Sequence, residues 1–584
     1  MPSGSSGDPV LSLGGDTEYG VRPQVTVDGS DLSEDVLPLL ESVTVDSSLH
    51  LADMLELVFH DGAREALSKS RIRIGSVVAV SLAKADKGSH TELIQAEVTA
   101  LESDFSSIGS RTVVRGYDQA HRLSRGRRTC SYNNVTDADV VRTVASRAGL
   151  STGDVDSAGP TYEHVAQVNS TDWDFLAGRA RETGHEVVVT GGKLHWRVPV
   201  KASGAPAEAS DLESRESCQL VVGHNLIQFR PRVTAAAQVS EVQVRGWDPV
   251  AKQAIVGTAQ AATTSAAVGL DPAGLASTFD APPHVAVSTP LGTQQEADAT
   301  AQALAETLAS AHAEAEGVAL GDPGILPGAP VSVSGAGDPF DGTYTVTATR
   351  HVVDGRGYRT EFVVSGRADR SLLGLTSGAG HQGGAGIQGV VVGVVTEVRD
   401  TGEVKLTYPW LSDDYESWWA RVAQLGAGAD RGAMWLPEVN DEVLVAFEHG
   451  DTRRPYVVGQ LYNGTDKPKA GDGLVDSSSG AVKRRGFVSR LGHRLVFLDD
   501  DSKSGIALLS ADSKLKISLN QSGTTIKISA DGTVEISGTK GVTIDSGADL
   551  KLHASGTLEI KGDKGVKVDG GPQVEVKGTA IKLN

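Results

Sequence analysis

Apolar residues recur in pairs along the C-terminal stretch 525–584, and successive pairs stand eight residues apart. One polar or charged residue separates the two members of each pair, and a small residue stands two positions beyond it. This is strand alternation with one apolar and one polar face, interrupted by a turn at every small residue. The pairs are Ile526/Ile528, Val534/Ile536, Val542/Ile544, Leu550/Leu552, Leu558/Ile560, Val566/Val568 and Val574/Val576.

The repeat is too short to bury its own apolar face. Eight residues cannot form a complete coil of a single-chain solenoid, so neighbouring chains must complete each turn. Three intertwined chains close a prism whose interior receives both apolar residues of every pair. At about 1.5–3 kcal/mol per buried side chain, this burial contributes roughly 20–40 kcal/mol per chain before ordering entropy is subtracted. The pattern therefore predicts a trimeric needle over residues 525–584.

The chain upstream of the repeat is predicted to be mostly strands with a few helices. Capping residues predict one helix over 137–148, after Thr136 and before Gly149, and a second helix over 172–183. The Ala- and Glu-rich run 294–316 predicts a third helix by propensity. Alternating segments predict strands at 24–29, 39–45, 55–59, 77–82, 94–101, 112–116, 330–334, 342–350 and 358–364.

The expected fold class is mainly β with a few helices, comprising β-barrel hub domains, an OB-fold barrel and a C-terminal triple-stranded intertwined β-helix. The OB-fold prediction rests on five alternating segments, at 390–398, 403–408, 419–424, 442–448 and 456–461. The stretches 201–226 and 259–283 are predicted to be insertions, with no assigned role. The expected divisions are a flexible leader 1–18, a hub 19–370 of paired β-barrel domains with helical insertions, a Gly-rich linker 371–387, an OB-fold 388–465, a connecting region 466–524 and the needle 525–584.

Charge, hydropathy and cysteine usage exclude several classes of protein. A net charge of −20 argues against a general nucleic-acid binder, because phosphate contacts need clustered Lys and Arg. The sequence has no run of eighteen apolar residues and begins without a signal-peptide pattern, so neither stable membrane insertion nor Sec export is expected. Cys130 and Cys218 lie outside any CxxC or Cys/His cluster and are expected to be reduced structural thiols.

No catalytic residue, cofactor or metal ligand is predicted. The GxGxxG motif within 378–383 precedes a strand, whereas a dinucleotide site needs a helix there. The acidic run 499–501 lacks the terminal Glu of a calcium loop and carries Lys503 at a ligand position, so a solvated turn is expected. His493 has no Cys or His partner at metal-ligand spacing.

Two groups of residues are candidate nucleic-acid contacts. The basic run is expected to form salt bridges between domains or subunits, with contact to a neighbouring protein as the alternative. The tryptophans of the OB segment are expected to serve packing, because acidic residues 413, 414 and 416 lie among them. The basic run is Arg122, Arg125, Arg127 and Arg128, and the tryptophans are Trp410, Trp418, Trp419 and Trp435.

Several strings resemble spike proteins of the VgrG type. Three lie in the OB segment, and two lie in the hub, where they resemble a part related to phage late-control D proteins. The OB strings are WARVAQ (419–424), GAMWLPEVNDEVLV (432–445) and RPYVVGQLYNG (454–464), and the hub strings are RGYDQAHRL (115–123) and STDWDFL (170–176).

The resemblance implies a structural, non-enzymatic spike of a phage-tail-like contractile injection system. Such a spike adapts a sixfold tube to a threefold needle and punctures the target envelope. Type VI secretion systems, contractile phage tails and extracellular injection particles all use this part, and the short hub and bare repeat look most like the injection-particle version. Phage versions carry a lysozyme domain between barrel and needle, but residues 463–509 are too few to hold one. The alternatives are a spike with cell-wall-degrading activity in the hub insertions and a trimeric fibre or adhesin that binds carbohydrate.

The same resemblance implies the partners. The expected assembly is a homotrimer that contacts an inner tube protein, baseplate proteins and a PAAR-type tip protein, with effector cargo as a further partner. The tip protein is expected to contact Ile581, Leu583 and Asn584, where the repeat shortens by one residue. Assembly is expected in the bacterial cytoplasm, with release from the cell left open.

Overall fold

The computed structural model describes residues 23–84, 87–107, 109–208, 216–371, 374, 386–468, 473–500 and 503–583. The chain divides into two compact units, Met1–Asn463 and Gly464–Asn584. The expected leader 1–18 and most of the Gly-rich linker, including the GxGxxG motif, lie outside the described residues. The expected mainly β class is confirmed.

The hub contains strands and helices in an irregular alternation. Its strands are β1 (Gln24–Val27), β2 (Ser30–Asp31), β3 (Leu40–Ser48), β4 (Leu51–His60), β5 (Val77–Lys84), β6 (Lys87–Ser106), β7 (Gly109–Tyr117), β8 (Arg128–Val135), β9 (Ser151–Val155), β10 (Tyr162–Ser170), β11 (Glu186–Thr190), β12 (Lys193–Arg197), β13 (Gln219–Val221), β14 (Leu226–Val233), β15 (Glu241–Asp248), β16 (Gln253–Gln260), β17 (Ala266–Val268), β18 (His284–Ala286), β19 (Ala313–Leu320), β20 (Pro330–Ser334), β21 (Gly342–Thr345), β22 (Ala348–Asp354) and β23 (Gly357–Val364). Its helices are α1 (Ala66–Ser70), α2 (Asp137–Ala148), α3 (Asp172–Thr183), α4 (Pro272–Thr278) and α5 (Gln294–Ser310), with short 3-10 helices at Leu37–Leu39, Gln119–Ser124 and Ala202–Gly204.

One eleven-stranded sheet joins the two ends of the hub sequence, in the order β14-β19-β23-β22-β3-β4-β7-β6-β5-β1-β2. One hydrophobic core, around Leu57 and Val80, lies at the N-terminal strands. A second core, around Val331 and Phe362, lies where the sheet faces the smaller sheet β13-β20-β21-β17. The two β domains of the hub therefore share a sheet, because β3 pairs with β22.

Helices α2 and α3 have the predicted bounds. The Thr136 side chain accepts from the Asp139 amide (3.2 Å), and Gly149 ends α2 with a left-handed φ of 70°. Gly184 ends α3 in the same way. Both helices pack on strands β8 to β12 around Leu176 and Trp196. Local capping chemistry is sufficient to set these boundaries.

The third predicted helix was too long. Helix α5 ends at Ser310, and the residues expected to continue it form β19. Strand β19 lies between β14 and β23, with Ala313, Ala315 and Ala319 buried. Pairing on both edges outweighs the intrinsic helix preference of Ala and Glu.

The chain between β14 and β19 forms a small subdomain. Its sheet β16-β15-β18 packs against α5 through Val242, Val244, Ile255 and the alanines of the helix. The predicted insertions 201–226 and 259–283 contain β13, β17 and α4 in their described parts.

A closed six-stranded sheet forms the predicted OB barrel. Its strands are β24 (Val390–Val398), β25 (Glu403–Tyr408), β26 (Ser412–Glu416), β27 (Ala420–Val422), β30 (Glu442–Phe447) and β31 (Pro455–Gln460), and a hairpin β28 (Ala427–Gly428) and β29 (Arg431–Gly432) precedes β30. Strand β24 pairs with both β25 and β30, which closes the barrel around Leu406, Tyr408 and Val445. A 3-10 turn, Glu448–Gly450, follows β30. The pattern missed β26, which carries the acidic residues 413, 414 and 416.

The second unit begins with a five-stranded antiparallel meander. Its strands are β32 (Arg484–Val488), β33 (Arg494–Leu498), β34 (Gly505–Leu509), β35 (Leu515–Asn520) and β36 (Thr525–Ala530). The first apolar pair of the repeat therefore lies in the last strand of the meander, since β36 pairs with β35. From residue 531 onward, bends recur at 531–532, 539–540, 547–548 and 555–556, and turns follow at 563–564 and 571–572.

Candidate self-association surface

The second unit has no hydrophobic core of its own among its described residues. The five core clusters of the molecule all consist of residues between Val25 and Val457. Every apolar side chain described from residue 473 onward retains solvent exposure beyond that of a core residue. A folded unit with a regular apolar pattern and no core must bury that pattern against another surface.

The repeat presents all its apolar pairs to solvent. The sequence prediction places these side chains in the core of a trimer, and a single chain has no second layer to cover them. Their exposed fractions lie between 53% for Val534 and 74% for Ile526. The side chains concerned are Ile526, Ile528, Val534, Ile536, Val542, Ile544, Leu550, Leu552, Leu558, Ile560, Val566, Val568, Val574 and Val576.

The two members of a pair are not equally exposed in one chain. From the second pair onward, the second member is always the more exposed one, and its exposed fraction lies between 62% for Leu552 and 74% for Val568. Ile536 and Ile544 fall within this range, at 71% and 63%. These side chains therefore depend most on other chains for burial, and the needle core stays a prediction for the assembly.

The backbone of the repeat is equally open. The described stretch 533–583 has three hydrogen bonds between backbone groups, each closing a turn. The peptide groups of the straight segments are therefore open on both edges, as in an unpaired strand.

The turns change the direction of the chain at the small residues. Gly538 O accepts from Gly541 N (3.2 Å), and Gly562 O accepts from Gly565 N (3.1 Å). A Cβ atom on Gly562 would stand 2.4 Å from Gly565 O, so this corner requires glycine. The chain thus turns a corner after each short apolar segment, as the eight-residue period predicts.

The meander carries an exposed apolar face that the sequence analysis did not identify. Cross-strand registers align the exposed Leu508 with Ile517, and Ile517 with Ile528. A second row aligns Ile506 with Leu519. Patches of this kind in a soluble protein mark interaction surfaces. The alternating segments 506–508 and 515–519 were the signal that could have found it.

The hub and the OB barrel meet through a network of ion pairs within the first unit. Arg453 of the barrel donates to Asp451 (2.7 Å) and to Glu182 of α3 (3.3 Å). Glu182 also accepts from Arg179 (2.7 Å), which binds Asp137 of α2 (2.9 Å). Attraction to Glu182 raises the pKa of Arg453. Burial alone would raise the pKa of Asp451, but Arg453 outweighs burial and holds that pKa below its usual value.

Aromatic and apolar contacts reinforce this junction. Trp418 stacks on His164 of β10 with ring centroids 6.2 Å apart, and Trp418 Nε1 donates to Glu163 Oε2 (3.1 Å). Ala166 and Val168 of β10 pack against the barrel core. The junction therefore combines charge pairing with packing.

The other OB tryptophans lie on the barrel surface. The Trp419 ring lies under Arg399 (4.6 Å) and Lys405 (5.1 Å), and Trp410 Nε1 donates to Val392 O (2.7 Å). Trp410 and Trp435 are about half exposed. Trp410 also packs on Tyr408, with ring centroids 6.2 Å apart. Trp410, Trp418 and Trp419 thus form contacts of the packing kind expected for these tryptophans.

Most of the basic run binds within the hub. Arg122 Nε donates to Glu97 of β6 (3.1 Å), which links the first β domain to the helical part. Arg127 donates to Asn169 O (2.8 Å), and Arg128 lies 3.8 Å from Asp172. Arg122 and Arg128 thus pair with carboxylates of the hub, whereas Arg127 binds a backbone carbonyl, and a role of this run between domains or subunits stays a prediction.

Asp53 of β4 and Asp118, which directly follows β7, form a carboxyl pair that is largely buried. Asp118 Oδ1 accepts from Asp53 N and Ala120 N (3.2 Å each), and Asp53 Oδ1 accepts from Ser48 N (3.1 Å). Burial raises the pKa of Asp53 to about 7. Burial, and then the charge of Asp53, raises the pKa of Asp118 to about 8. Both carboxyls serve local backbone contacts.

A cavity of about 140 Å³ lies between α3, α5 and the loop at His50. Glu306 in its wall accepts from Thr263 Oγ1 (2.9 Å), and Glu186 accepts from Arg197 (2.7 Å). Both carboxylates are thus already hydrogen-bonded within the hub. Burial lowers the pKa of His50.

Several other expectations can be compared with the described residues. These residues contain no cluster of three or more His, Cys, Asp or Glu side chains placed to hold a metal ion. None of the described helices is long and apolar enough to cross a membrane. Cys130 and Cys218 form no disulfide. Ile581 and Leu583 are 53% and 92% exposed, and Asn584 lies outside the described residues.

Two known protein families match this chain, one over the hub and the other over the barrel. Residues 18–355 match a family described as the Alg8 N-terminal domain, and residues 387–462 match the type VI secretion system/phage-baseplate injector OB domain. The chain belongs to the VgrG spike protein family, with an Alg8 N-terminal domain. The VgrG-like strings of the barrel lie inside the second match or extend just past its end.

Curated VgrG relatives match a limited part of this VgrG-family chain. The type VI secretion system spike protein VgrG2a of Pseudomonas aeruginosa is 41% identical over 71 residues, which are 12% of this chain and 8% of that protein. The spike protein VgrG3 of Vibrio cholerae is 34% identical over 114 residues, which are 19% of this chain and 11% of that protein. The chain thus spans about a tenth of the length of these relatives.

A solved structure extends the likeness in fold. A chain of the lidless Francisella PdpA-VgrG complex aligns with a TM-score of 0.50 and 8% identity, covering 88% of this VgrG-family chain and 100% of that chain. At this identity the alignment shows a shared fold.

Proposed function

We propose that the chain is the structural spike and hub of a phage-tail-like contractile injection system, and that it acts as a homotrimer. The observation that carries this proposal is a C-terminal unit with a regular apolar repeat, whose described residues form no core in a single chain. Three intertwined copies would enclose the pairs from Ile526 to Val576 and would provide partners for the open strand edges. Membership of the VgrG family supports the same interpretation.

The spike would adapt a sixfold tube to a threefold needle and pass axial thrust toward the target envelope. A rigid joint between hub and barrel suits this task. The Arg453–Glu182 pair and the stacking of Trp418 on His164 supply such a joint within the first unit. The role is mechanical and non-enzymatic, in keeping with relatives that are named as spike proteins.

The proposed partners are the inner tube protein, baseplate proteins, effector cargo and a PAAR-type tip protein. The tip protein would cover the exposed side chains of Ile581 and Leu583 and contact Asn584. Assembly would take place in the bacterial cytoplasm, and the injection-particle branch is the proposed setting. The PdpA-VgrG complex shows that a protein of this fold class forms assemblies with other chains.

Truncation tests the needle. A chain ending after Ala530 keeps the whole meander and loses the rest of the repeat, whereas a control ending after Gly578 loses only the last residues. Sedimentation equilibrium of the full chain should show a trimer, the control should match it, and the longer truncation should dissociate at much higher concentration. A longer truncation that remains an unaltered trimer would refute the role assigned to the repeat.

Affinity purification and activity assays distinguish the spike hypothesis from the adhesin and enzyme hypotheses. The spike proposal predicts co-purification with tube and sheath proteins from the producing cell. Glycan binding by the isolated chain without those proteins would support the adhesin. Release of fragments from purified cell walls, abolished by one acidic substitution, would support the hidden enzyme.

A further inference from the structure

The polar face of the repeat has a regular order of charge that the apolar pattern does not require. The residue inside each apolar pair is exposed, and these seven residues are here called the central column. From Lys551 to Glu575 the sign of the charge changes at every repeat, and Lys527 and Glu535 also differ in sign. The column is Lys527, Glu535, Thr543, Lys551, Glu559, Lys567 and Glu575.

The single chain does not use this alternation for ion pairs between repeats. Within the described stretch 525–583, ion pairs join residues of one segment or turn, such as Lys551 with Asp549 (3.9 Å) and Lys561 with Asp563 (4.0 Å). Lys551 and Asp549 are both more than 80% exposed. Glu575 of the column also pairs with Lys577 of the same segment. These pairs are exposed and leave the side chains of the column accessible to another chain.

This inference rests on the proposed trimer. In that trimer, the turns determine which residues of neighbouring chains lie opposite each other. Each repeat turns a corner, so successive repeats of one chain occupy successive faces of the prism. With three chains, the strand stacked next on any face belongs to a neighbouring chain and to the following repeat. Parallel strands lie about 4.8 Å apart with equivalent positions aligned. Residue i of one chain then faces residue i+8 of the next.

We propose that the central column forms an intersubunit ladder of opposite charges that sets the register of the three chains. In this register four of the six column contacts join opposite charges and none joins like charges. Lys551 faces Glu559 of the next chain, and Glu559 faces Lys567. A second exposed column repeats the order at Lys561, Asp569 and Lys577.

Hydrophobic burial alone cannot choose this register. A slip of one chain by one repeat keeps every shared apolar pair in the interior, because the period is preserved. The slip brings Lys551 against Lys567 and Glu559 against Glu575, and it leaves one opposite contact, between Glu535 and Lys551. Like charges directly opposite on adjacent strands are destabilising. The ladder thus supplies the specificity that the uniform apolar repeat lacks.

Charge reversal in the full-length chain tests the ladder. Lys551→Glu with Lys567→Glu makes the last four positions of the column, from 551 to 575, acidic, and we expect the half-dissociation concentration of the trimer to rise by more than roughly tenfold. Adding Glu559→Lys and Glu575→Lys restores alternation and should restore wild-type stability. The matched control, Lys540→Glu with Lys564→Glu, changes the net charge equally at two turns and should have little effect.

Zero-length carbodiimide crosslinking reads the register directly. Isotope-labelled and unlabelled full-length chains are co-refolded, and crosslinked peptides are identified by mass spectrometry. The ladder predicts mixed-label links from Glu559 to Lys551 and to Lys567. If sedimentation shows no trimer in the wild-type chain, the proposed function itself fails. If the trimer forms but these links are absent, or the acidic column dissociates like its control, the ladder is refuted and the trimeric spike stands.

Discussion

Replacing Leu558 and Ile560 with serine removes one apolar pair from the middle of the needle and leaves hub and barrel untouched. In one chain these side chains are 55% and 65% exposed, so more than half of each remains to be buried by other chains. Full burial contributes about 1.5–3 kcal/mol, so the exposed part corresponds to about 1–2 kcal/mol per side chain and about 6–12 kcal/mol per trimer. At the lower limit, the trimer dissociation constant rises by roughly four orders of magnitude.

Sedimentation equilibrium over a dilution series measures this change. The control variant carries His553→Ser and Thr557→Ser, which alter two exposed polar positions in the adjoining sequence. Thermal unfolding of the first unit should be the same in all variants, since the substitutions lie outside it. Equal dissociation of the apolar variant and its control would show that the pairs do not face the interior, and the needle geometry would have to be abandoned.

Three further predictions concern other parts of the chain. Arg453→Met should destabilise the first unit by about 2–4 kcal/mol in urea unfolding, and a cycle with Glu182→Gln should give a coupling near or above 1 kcal/mol; additive effects would exclude a cooperative junction. The pKa values of Asp53 and Asp118 are about 7 and about 8 in the folded hub, whereas an unfolded carboxyl has a pKa of about 4. The protonated carboxyls therefore contribute their full stabilisation of the fold below about pH 4, and this stabilisation is lost as the pH rises through about 7 to 8. The Asn variant of both residues should therefore gain stability relative to wild type between pH 4 and pH 8, whereas a constant difference would contradict the raised pKa values. Gly562→Ala places a Cβ against a turn carbonyl and should lower the thermal dissociation temperature of the needle, and an unchanged temperature would contradict the need for glycine at this corner.

The sequence predicts the boundaries of helices and strands correctly where neighbouring residues determine them. Helices α2 and α3 begin and end at the predicted residues because Thr caps and left-handed glycines act within a single turn of chain. Strands β24 and β25 also match the predicted bounds. In these segments the alternation of apolar residues and the flanking turn residues favour the same result.

Long-range pairing decided the exceptions. Residues 313–316 have high helix propensity, yet they form β19 because strands on both sides satisfy their peptide groups. Thr525–Ala530 carries the needle pattern but closes the meander, since β35 offers it an antiparallel partner. A period describes which face is apolar, but it does not say which chain or strand lies beside it.

The same distinction between local pattern and long-range contact applies to the candidate self-association surface. The eight-residue period alone determined that the C-terminal stretch alternates an apolar and a polar face and turns at small residues, because both properties depend on neighbouring residues. Only the tertiary structure decided that the described part of this unit lacks a core, and that the meander extends its apolar face. It also decided that Arg453 meets Glu182, 271 residues away in sequence. Burial and ion pairing depend on which distant segments share a surface, and that depends on the folding of the whole chain.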